Sequence, residues 1–113
     1  MRRRIKVTDV IQISTTTASR NDAEKIAQHL LQAKLAACVQ ITGPLTSKYW
    51  WDGNIESAEE WLCTIKTRGD VFARVERAIR ENHPYDEPEI IAVPVIDGSE
   101  GYIRWVKDEV RSD

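Results

Sequence analysis

A long hairpin at the centre of the chain constrains the fold more than any other feature of the sequence. Segments 36–51 and 55–67 are rich in residues that favour strands, and Asp52-Gly53 between them is typical of a two-residue hairpin turn. The shorter arm has roughly 13 residues, which at about 3.3 Å per residue gives a length of about 43 Å. The Gly43-Pro44 pair predicts a bulge or bend in the first arm, because proline cannot donate to a ladder.

Five further elements flank this hairpin. From the spacing of apolar residues we expect strand 7–16, helix 22–34, helix 70–82, strand 89–95 and helix 99–110. Ser19 with Asp22, or Asn21 with Glu24, would cap the start of the first helix. The order β-α-β-β-α-β is the ferredoxin-like arrangement, and right-handed crossovers place its two helices on one face of an antiparallel sheet.

The predicted fold class is therefore α+β: a ferredoxin-like β-α-β-β-α-β unit with a C-terminal helix and a long central hairpin. A length of 113 residues is enough for one domain, so we expect a single domain over residues 1–113. Helices 22–34 and 70–82 would both cover the same face of the sheet.

Charge and hydropathy argue against several classes of protein. The net charge is −2 and both signs are interspersed, so the basic stripe that drives nucleic-acid binding is missing. The Arg2-Arg3-Arg4 cluster is followed by no apolar run like that of a secretion signal, and no apolar run is long enough to span a bilayer. We expect a cytoplasmic protein with no nucleic-acid and no membrane partner.

The distal half of the hairpin predicts association between subunits. A covering helix of about 13 residues spans only about 20 Å, which leaves that half uncovered. It carries Tyr49, Trp50, Trp51 and Ile55, and two adjacent tryptophans on a strand point to opposite faces. An exposed aromatic patch beside unpaired strand edges favours assembly with cyclic closure. The alternative is that the C-terminal helix or a loop folds over this patch.

Few residues of the chain suggest chemistry. His29 lies on the polar face of the first helix, so we expect it at the surface, and we expect Cys38 and Cys63 to be buried free thiols. His83 ends the second helix within the segment His-Pro-Tyr-Asp-Glu-Pro-Glu, and its imidazole is a reasonable ligand for copper or zinc. It could instead interact with the helix dipole or the last carbonyls of the helix.

Enzyme signatures are weak. Ser14 can be combined on paper with His83 and Asp86, but no nucleophile elbow surrounds this serine. The five glycines are scattered, and none opens a helix in a phosphate-binding pattern. We predict a protein that is not a conventional enzyme.

Four segments, taken in order, resemble the CutA proteins. The resemblance runs from about residue 10 to residue 105 and rests on Lys34-Leu35-Ala36-Ala37-Cys38-Val39, Tyr49-Trp50-Trp51-Asp52-Gly53, the stretch 59–66, and His83-Pro84-Tyr85-Asp86-Glu87-Pro88-Glu89-Ile90. It implies a ferredoxin-like subunit and a homotrimer in which the long hairpins extend onto neighbouring sheets. It also implies a likeness to PII signalling proteins and a role in tolerance of divalent metal ions, copper especially.

The resemblance also bears on metal binding. In some family members a cysteine near the end of the first strand is implicated in copper binding together with the histidine at the helix end. Ser14 stands at that position here and is a much poorer ligand, whereas His83 is retained. Candidate co-ligands are Asp86, Glu87 and Glu59. We therefore expect no required cofactor and weak binding of Cu(II) or another divalent metal.

Two other functions remain open. The first is a PII-like trimeric sensor that binds a small anionic metabolite in clefts between subunits. The residues that could line such a cleft are Tyr49, Trp51, Glu59, Lys66, His83 and Tyr85. The second is an acylphosphatase-like hydrolase, which would need Arg20 in a phosphate-binding loop, but the loop after the first strand has no glycine cradle.

Overall fold

The computed structural model describes residues 8–111 and confirms the predicted order of elements. They are β1 Val10–Thr17, α1 Arg20–Gln32, β2 Cys38–Trp51, β3 Asn54–Arg68, α2 Phe72–Asn82, β4 Ile91–Pro94 and α3 Glu100–Glu109, with a short 3-10 turn, Gly69–Val71, before α2. The strands form one antiparallel sheet in the order β2-β3-β1-β4, as in a ferredoxin-like fold. No helix within residues 8–111 is long and apolar enough to cross a membrane.

The start of α1 follows from its cap. The backbone N–H of Asp22 donates to Ser19 Oγ at 3.1 Å, so the first of the two predicted cap pairs is confirmed and the helix begins at Arg20 rather than at residue 22. The helix ends at Gln32, two residues earlier than predicted. Lys34 then adopts a left-handed backbone with φ 61°, a conformation that commonly terminates helices.

The first and last strands of the chain are shorter than predicted. β1 begins at Val10, and residue 7, the predicted start, lies outside the described residues. β4 covers Ile91–Pro94 instead of residues 89–95, although the N–H of Val95 still donates to the carbonyl of Val10 at 3.1 Å.

The predicted irregularity at Gly43-Pro44 is confirmed. Pairing between β2 and β3 runs to Thr42 opposite Leu62 and resumes at Leu45 opposite Glu60, with a register shift between them. The register beyond this bulge decides which side chains share a face in the distal half of the hairpin.

The core lies between the sheet and the pair α1 and α2, so the prediction that these two helices share a face is confirmed. Its fully buried members include Ile13, Ile26, Leu30, Cys63, Ile65, Val75 and Ile79. Packing of this alternating strand face against the apolar stripes of both helices removes that surface from water, which is the main stabilising contribution to the fold.

Helix α3 lies on the other face. Lys66 alternates with the core residue Ile65 and so points away from α1 and α2, and its Nζ lies 5.8 Å from the Tyr102 ring centroid of α3. Val106 of the same helix is fully buried, and Lys107 Nζ pairs with Asp9 Oδ2 at 3.0 Å. The third helix therefore covers the end of the sheet near the start of β1.

The tip of the hairpin stays uncovered. Trp50 is 73% exposed, Trp51 68% and Ile55 66%, so neither α3 nor a loop of the described residues folds over the aromatic patch. The alternative in which the C-terminal helix covers this patch is wrong, because α3 packs at the opposite end of β3.

Candidate functional site

His83 is held by hydrogen bonds at both ring nitrogens. Pro84 disfavours the α region for the residue before it, so α2 ends and His83 takes an extended backbone with φ −101° and ψ 134°. Its Nε2 lies 2.8 Å from the Thr16 carbonyl oxygen, and the backbone N–H of Tyr85 donates to Nδ1 at 3.2 Å. Because an amide N–H can only donate, these partners assign His83 as the neutral tautomer with its proton on Nε2.

Tyr85 connects His83 to a buried carboxylate. Its hydroxyl donates to Glu60 Oε2 at 3.0 Å, and its ring centroid lies 4.7 Å from that of His83. Glu60 and His83 are each only 8% exposed. Burial raises the pKa of Tyr85 to about 12, and the hydrogen bond to Glu60 and its charge act in the same direction. We call this hydrogen-bonded set the His83 network; its members are Thr16, His83, Tyr85 and Glu60.

The hairpin places Tyr49 on the face of the sheet that carries Glu60 of the His83 network. Leu45 pairs with Glu60 and Tyr49 pairs with Glu56, and directly opposed residues on an antiparallel pair share a face. Tyr49 therefore lies on the same face as Glu60, as does Trp51 two residues further on. Glu59 lies on the opposite face of β3 and is exposed.

The residues predicted to bind metal do not come together within the described part of the chain. Residues 8–111 contain no group of three or more His, Cys, Asp and Glu side chains placed to hold a metal ion. Glu87 pairs with Arg80 at 3.2 Å, Asp86 is exposed, and Glu59 points away from His83. The metal set His83, Asp86, Glu87 and Glu59 stays a prediction.

The residues predicted to line a cleft are spread along β3. His83 and Tyr85 lie next to Glu60, and Tyr49 pairs with Glu56. Trp51 pairs with Asn54 on one side of Glu60 and Lys66 lies on the other, each six residues away, a separation of about 20 Å at about 3.3 Å per residue. Lys66 instead donates to Gln40 Oε1 at 2.8 Å. Arg20, which the hydrolase alternative needs, forms an ion pair with Glu24 at 3.5 Å.

The expectations for the remaining histidine and the cysteines are largely confirmed. His29 is exposed on α1. Cys63 is fully buried, while Cys38 is half-buried rather than fully buried, and both are free. Burial raises the pKa of the Cys63 thiol to about 11, so this thiol acts as part of the core.

Sequence reasoning missed Glu60. It lies between the exposed Glu59 and the core-facing Trp61, so its position along β3 predicts the face opposite the core and gives no reason for burial. Its hydrogen-bond partner Tyr85 is 25 residues away along the chain. No local pattern could have identified this contact.

Residues 11–109 match the family model of the CutA1 divalent ion tolerance protein. This chain belongs to that family. It is 41% identical over 98 residues to the divalent-cation tolerance protein CutA of Archaeoglobus fulgidus, an alignment covering 87% of this chain and 95% of that protein. It is 37% identical over 107 residues to the chloroplastic protein CutA of Arabidopsis thaliana, covering 95% of this chain but only 59% of the plant protein.

Solved structures of CutA1 proteins confirm the fold. The CutA1 structure from Oryza sativa aligns with a TM-score of 0.91 at 33% identity, covering 95% of this chain and 98% of that one. The A. fulgidus structure, named as a periplasmic divalent cation tolerance protein, aligns with a TM-score of 0.87 at 39% identity, covering 90% and 99%. The names of these relatives thus refer to different compartments, chloroplastic and periplasmic. A cytoplasmic location for this chain stays a prediction.

Proposed function

We propose that this chain acts in tolerance of divalent metal ions as a homotrimer that binds a divalent cation weakly at His83. The observation that carries this proposal is the family match over residues 11–109, which spans every element of the fold. The names of the relatives support divalent-cation tolerance rather than a catalytic activity.

The exposed hairpin tip supports assembly. Trp50 and Trp51 point to opposite faces, and a monomer would expose both to water. β2 is also an edge strand of the sheet, so much of its backbone is open to pairing with another chain. Contacts of this kind join different surfaces of neighbouring subunits and must close into a ring to avoid fibres. The CutA resemblance implies a ring of three.

The hydrogen bonds of His83 support weak rather than tight metal binding. Imidazole and carboxylate donors suit Cu(II) and Zn(II), so the chemistry of this segment fits a divalent metal. A metal at Nδ1 would displace the Tyr85 N–H, and a lost hydrogen bond of about 1 kcal/mol weakens binding roughly fivefold. One subunit does not assemble enough donors, so the proposal needs a carboxylate from a neighbouring subunit, for which the exposed Glu59 is a candidate.

A copper(II) titration by calorimetry tests this proposal. We would compare the wild type with His83→Ala and with His29→Ala, which removes the exposed histidine of α1. Native mass measured on the same samples gives the oligomeric state. We expect one saturable ion per subunit in the wild type and in His29→Ala, and none in His83→Ala, with all three proteins trimeric. Wild-type protein without a saturable site, or binding unchanged in His83→Ala, contradicts the metal proposal.

The metabolite-sensor alternative depends on assembly. Within one subunit Lys66 lies about 20 Å from Glu60, so an anion could meet both Lys66 and Tyr85 only across a subunit boundary. The exposed face with Tyr49 and Trp51 supports such a cleft. A thermal-shift series with nucleotides and organic acids tests it, because a bound ligand raises the melting temperature by mass action. A rise in melting temperature with one of these anions, together with the absence of a saturable copper site, would favour the metabolite-sensor function.

A further inference from the structure

We propose that Glu60 is a positioning residue that orients the His83 imidazole through Tyr85. The consequence for ligand binding rests on the proposed function of His83. The hydrogen-bond argument itself concerns the protein without metal.

Two hydrogen bonds hold Tyr85, one from its hydroxyl to Glu60 and one from its backbone to His83. Its hydroxyl donates to Glu60 Oε2 at 3.0 Å, and its backbone N–H donates to His83 Nδ1 at 3.2 Å. Its ring also lies against the His83 ring, with centroids 4.7 Å apart and planes inclined by 50°. Because Glu60 holds the hydroxyl and the ring packs against His83, the Tyr85 backbone is kept where its N–H meets His83 Nδ1.

Glu60 is a strong anchor because it is charged and buried. Hydrogen bonds to an ionised acceptor are roughly twice as strong as neutral ones. The part of the chain that the structure describes places no lysine or arginine within ion-pair distance of Glu60. The Tyr85 hydroxyl therefore compensates a carboxylate that is only 8% exposed, and losing it would leave that group poorly satisfied.

The arrangement decides which nitrogen of His83 offers a lone pair. Thr16 O can only accept, so it holds a proton on Nε2, and Tyr85 N–H can only donate, so it holds the lone pair on Nδ1. If Glu60 no longer holds Tyr85, the second of these constraints weakens while the first remains. The ring then populates the other tautomer and other orientations.

Nitrogen NMR of the histidine ring tests the positioning role, since the chain has only two histidines and His29 serves as an internal reference. Chelator-treated, metal-free protein labelled at the ring nitrogens would be compared as wild type, Tyr85→Phe, Glu60→Ala and Glu60→Gln. Matched controls are Tyr102→Phe, which removes an exposed phenol on α3, and Glu56→Gln, which removes an exposed carboxylate from the same face of β3.

We expect His83 in the wild type as a single tautomer protonated at Nε2. Tyr85→Phe and Glu60→Ala should each raise the minor tautomer roughly fivefold and speed hydrogen exchange at the Tyr85 amide by a similar factor. Glu60→Gln keeps an acceptor for the phenol and should fall between these variants and the wild type. Both controls should match the wild type.

Unchanged His83 signals in both Tyr85→Phe and Glu60→Ala would overturn the proposal. A lower melting temperature with an unchanged tautomer ratio would also overturn it, because Glu60 would then be only structural. If Glu60→Ala does not fold, Tyr85→Phe decides alone. The proposed metal function is judged separately. If the variants shift the tautomer but the wild type has no copper site, the metal function is refuted and the positioning role is kept. If the wild type binds copper but the variants leave the tautomer unchanged, the positioning role is refuted and the metal function is kept.

Discussion

Gly43→Ala should destabilise this protein because the Trp61 ring occupies the space that a side chain would need. A Cβ built on Gly43 would lie 2.5 Å from Trp61 Cδ1 and 2.7 Å from Cγ. Optimal carbon–carbon separations are about 3.5–4.0 Å, so the ring or the strand must move by about 1 Å. Gly43 does not have a left-handed φ, so alanine adds no strain of that kind.

The magnitude follows from the position of Trp61. This side chain is partly buried and packs against the hydrophobic core, so it cannot shift without disturbing neighbours. Overpacking of this kind costs about 1–3 kcal/mol of unfolding free energy. For a chain of this length the melting temperature should fall by roughly 4–12 °C.

Thermal unfolding followed by circular dichroism measures the effect. All variants need the same protein concentration, because any association between chains would make the melting temperature depend on it. Gly101→Ala in α3 is the matched control, since nothing lies within 4 Å of a Cβ there, and it should be neutral or stabilising by up to about 1 kcal/mol.

A double-mutant cycle with Trp61→Leu isolates the cause. If the ring is responsible, Gly43→Ala should be nearly neutral in the Trp61→Leu background, and the interaction energy should equal most of the single-mutant loss. An equal loss in both backgrounds, or no loss in the single mutant, would refute the reasoning.

Three further predictions concern the β1–α1 region and the core. Thr15 Oγ1 is buried with no hydrogen-bond partner among the described residues, so Thr15→Val should stabilise the fold by about 1 kcal/mol. Thr17→Val should destabilise the fold, because it removes the 2.7 Å hydrogen bond that Thr17 Oγ1 donates to the Ser19 carbonyl. Urea unfolding of the two variants should show changes in unfolding free energy of opposite sign. Ser19→Ala should cost about 1 kcal/mol by removing the α1 cap, and Ser99→Ala, where no side-chain cap bond forms, should cost less in the same assay. Burial raises the pKa of Cys63 from 9.0 to about 11, so the unfolded chain loses this proton at lower pH than the native one. The free energy of unfolding should therefore fall as the pH rises from about 9 to about 11. Urea unfolding at stepped pH measures this fall, and Cys63→Ala should flatten it.

Much of the candidate site lay beyond sequence reasoning. The pattern indicated His83 and the segment after it, because proline stops a helix at a definite place and imidazole is a recognisable ligand. It selected Glu59 rather than Glu60 as the carboxylate of interest. The structure brings Glu60 to Tyr85 and leaves Glu59 exposed on the other face of β3.

The sequence by itself determined the local features of this protein: the order of strands and helices, the turn at Asp52-Gly53, the irregularity after Thr42 and the Ser19 cap. Each depends on residues a few positions apart, where side-chain periodicity, proline geometry and capping act directly. Only the tertiary structure decided that α3 covers the second face of the sheet. It likewise decided that Thr16, 67 residues before His83, holds the histidine ring. Those contacts depend on how distant elements pack, and a periodic pattern carries no information about which distant backbone group a side chain will meet.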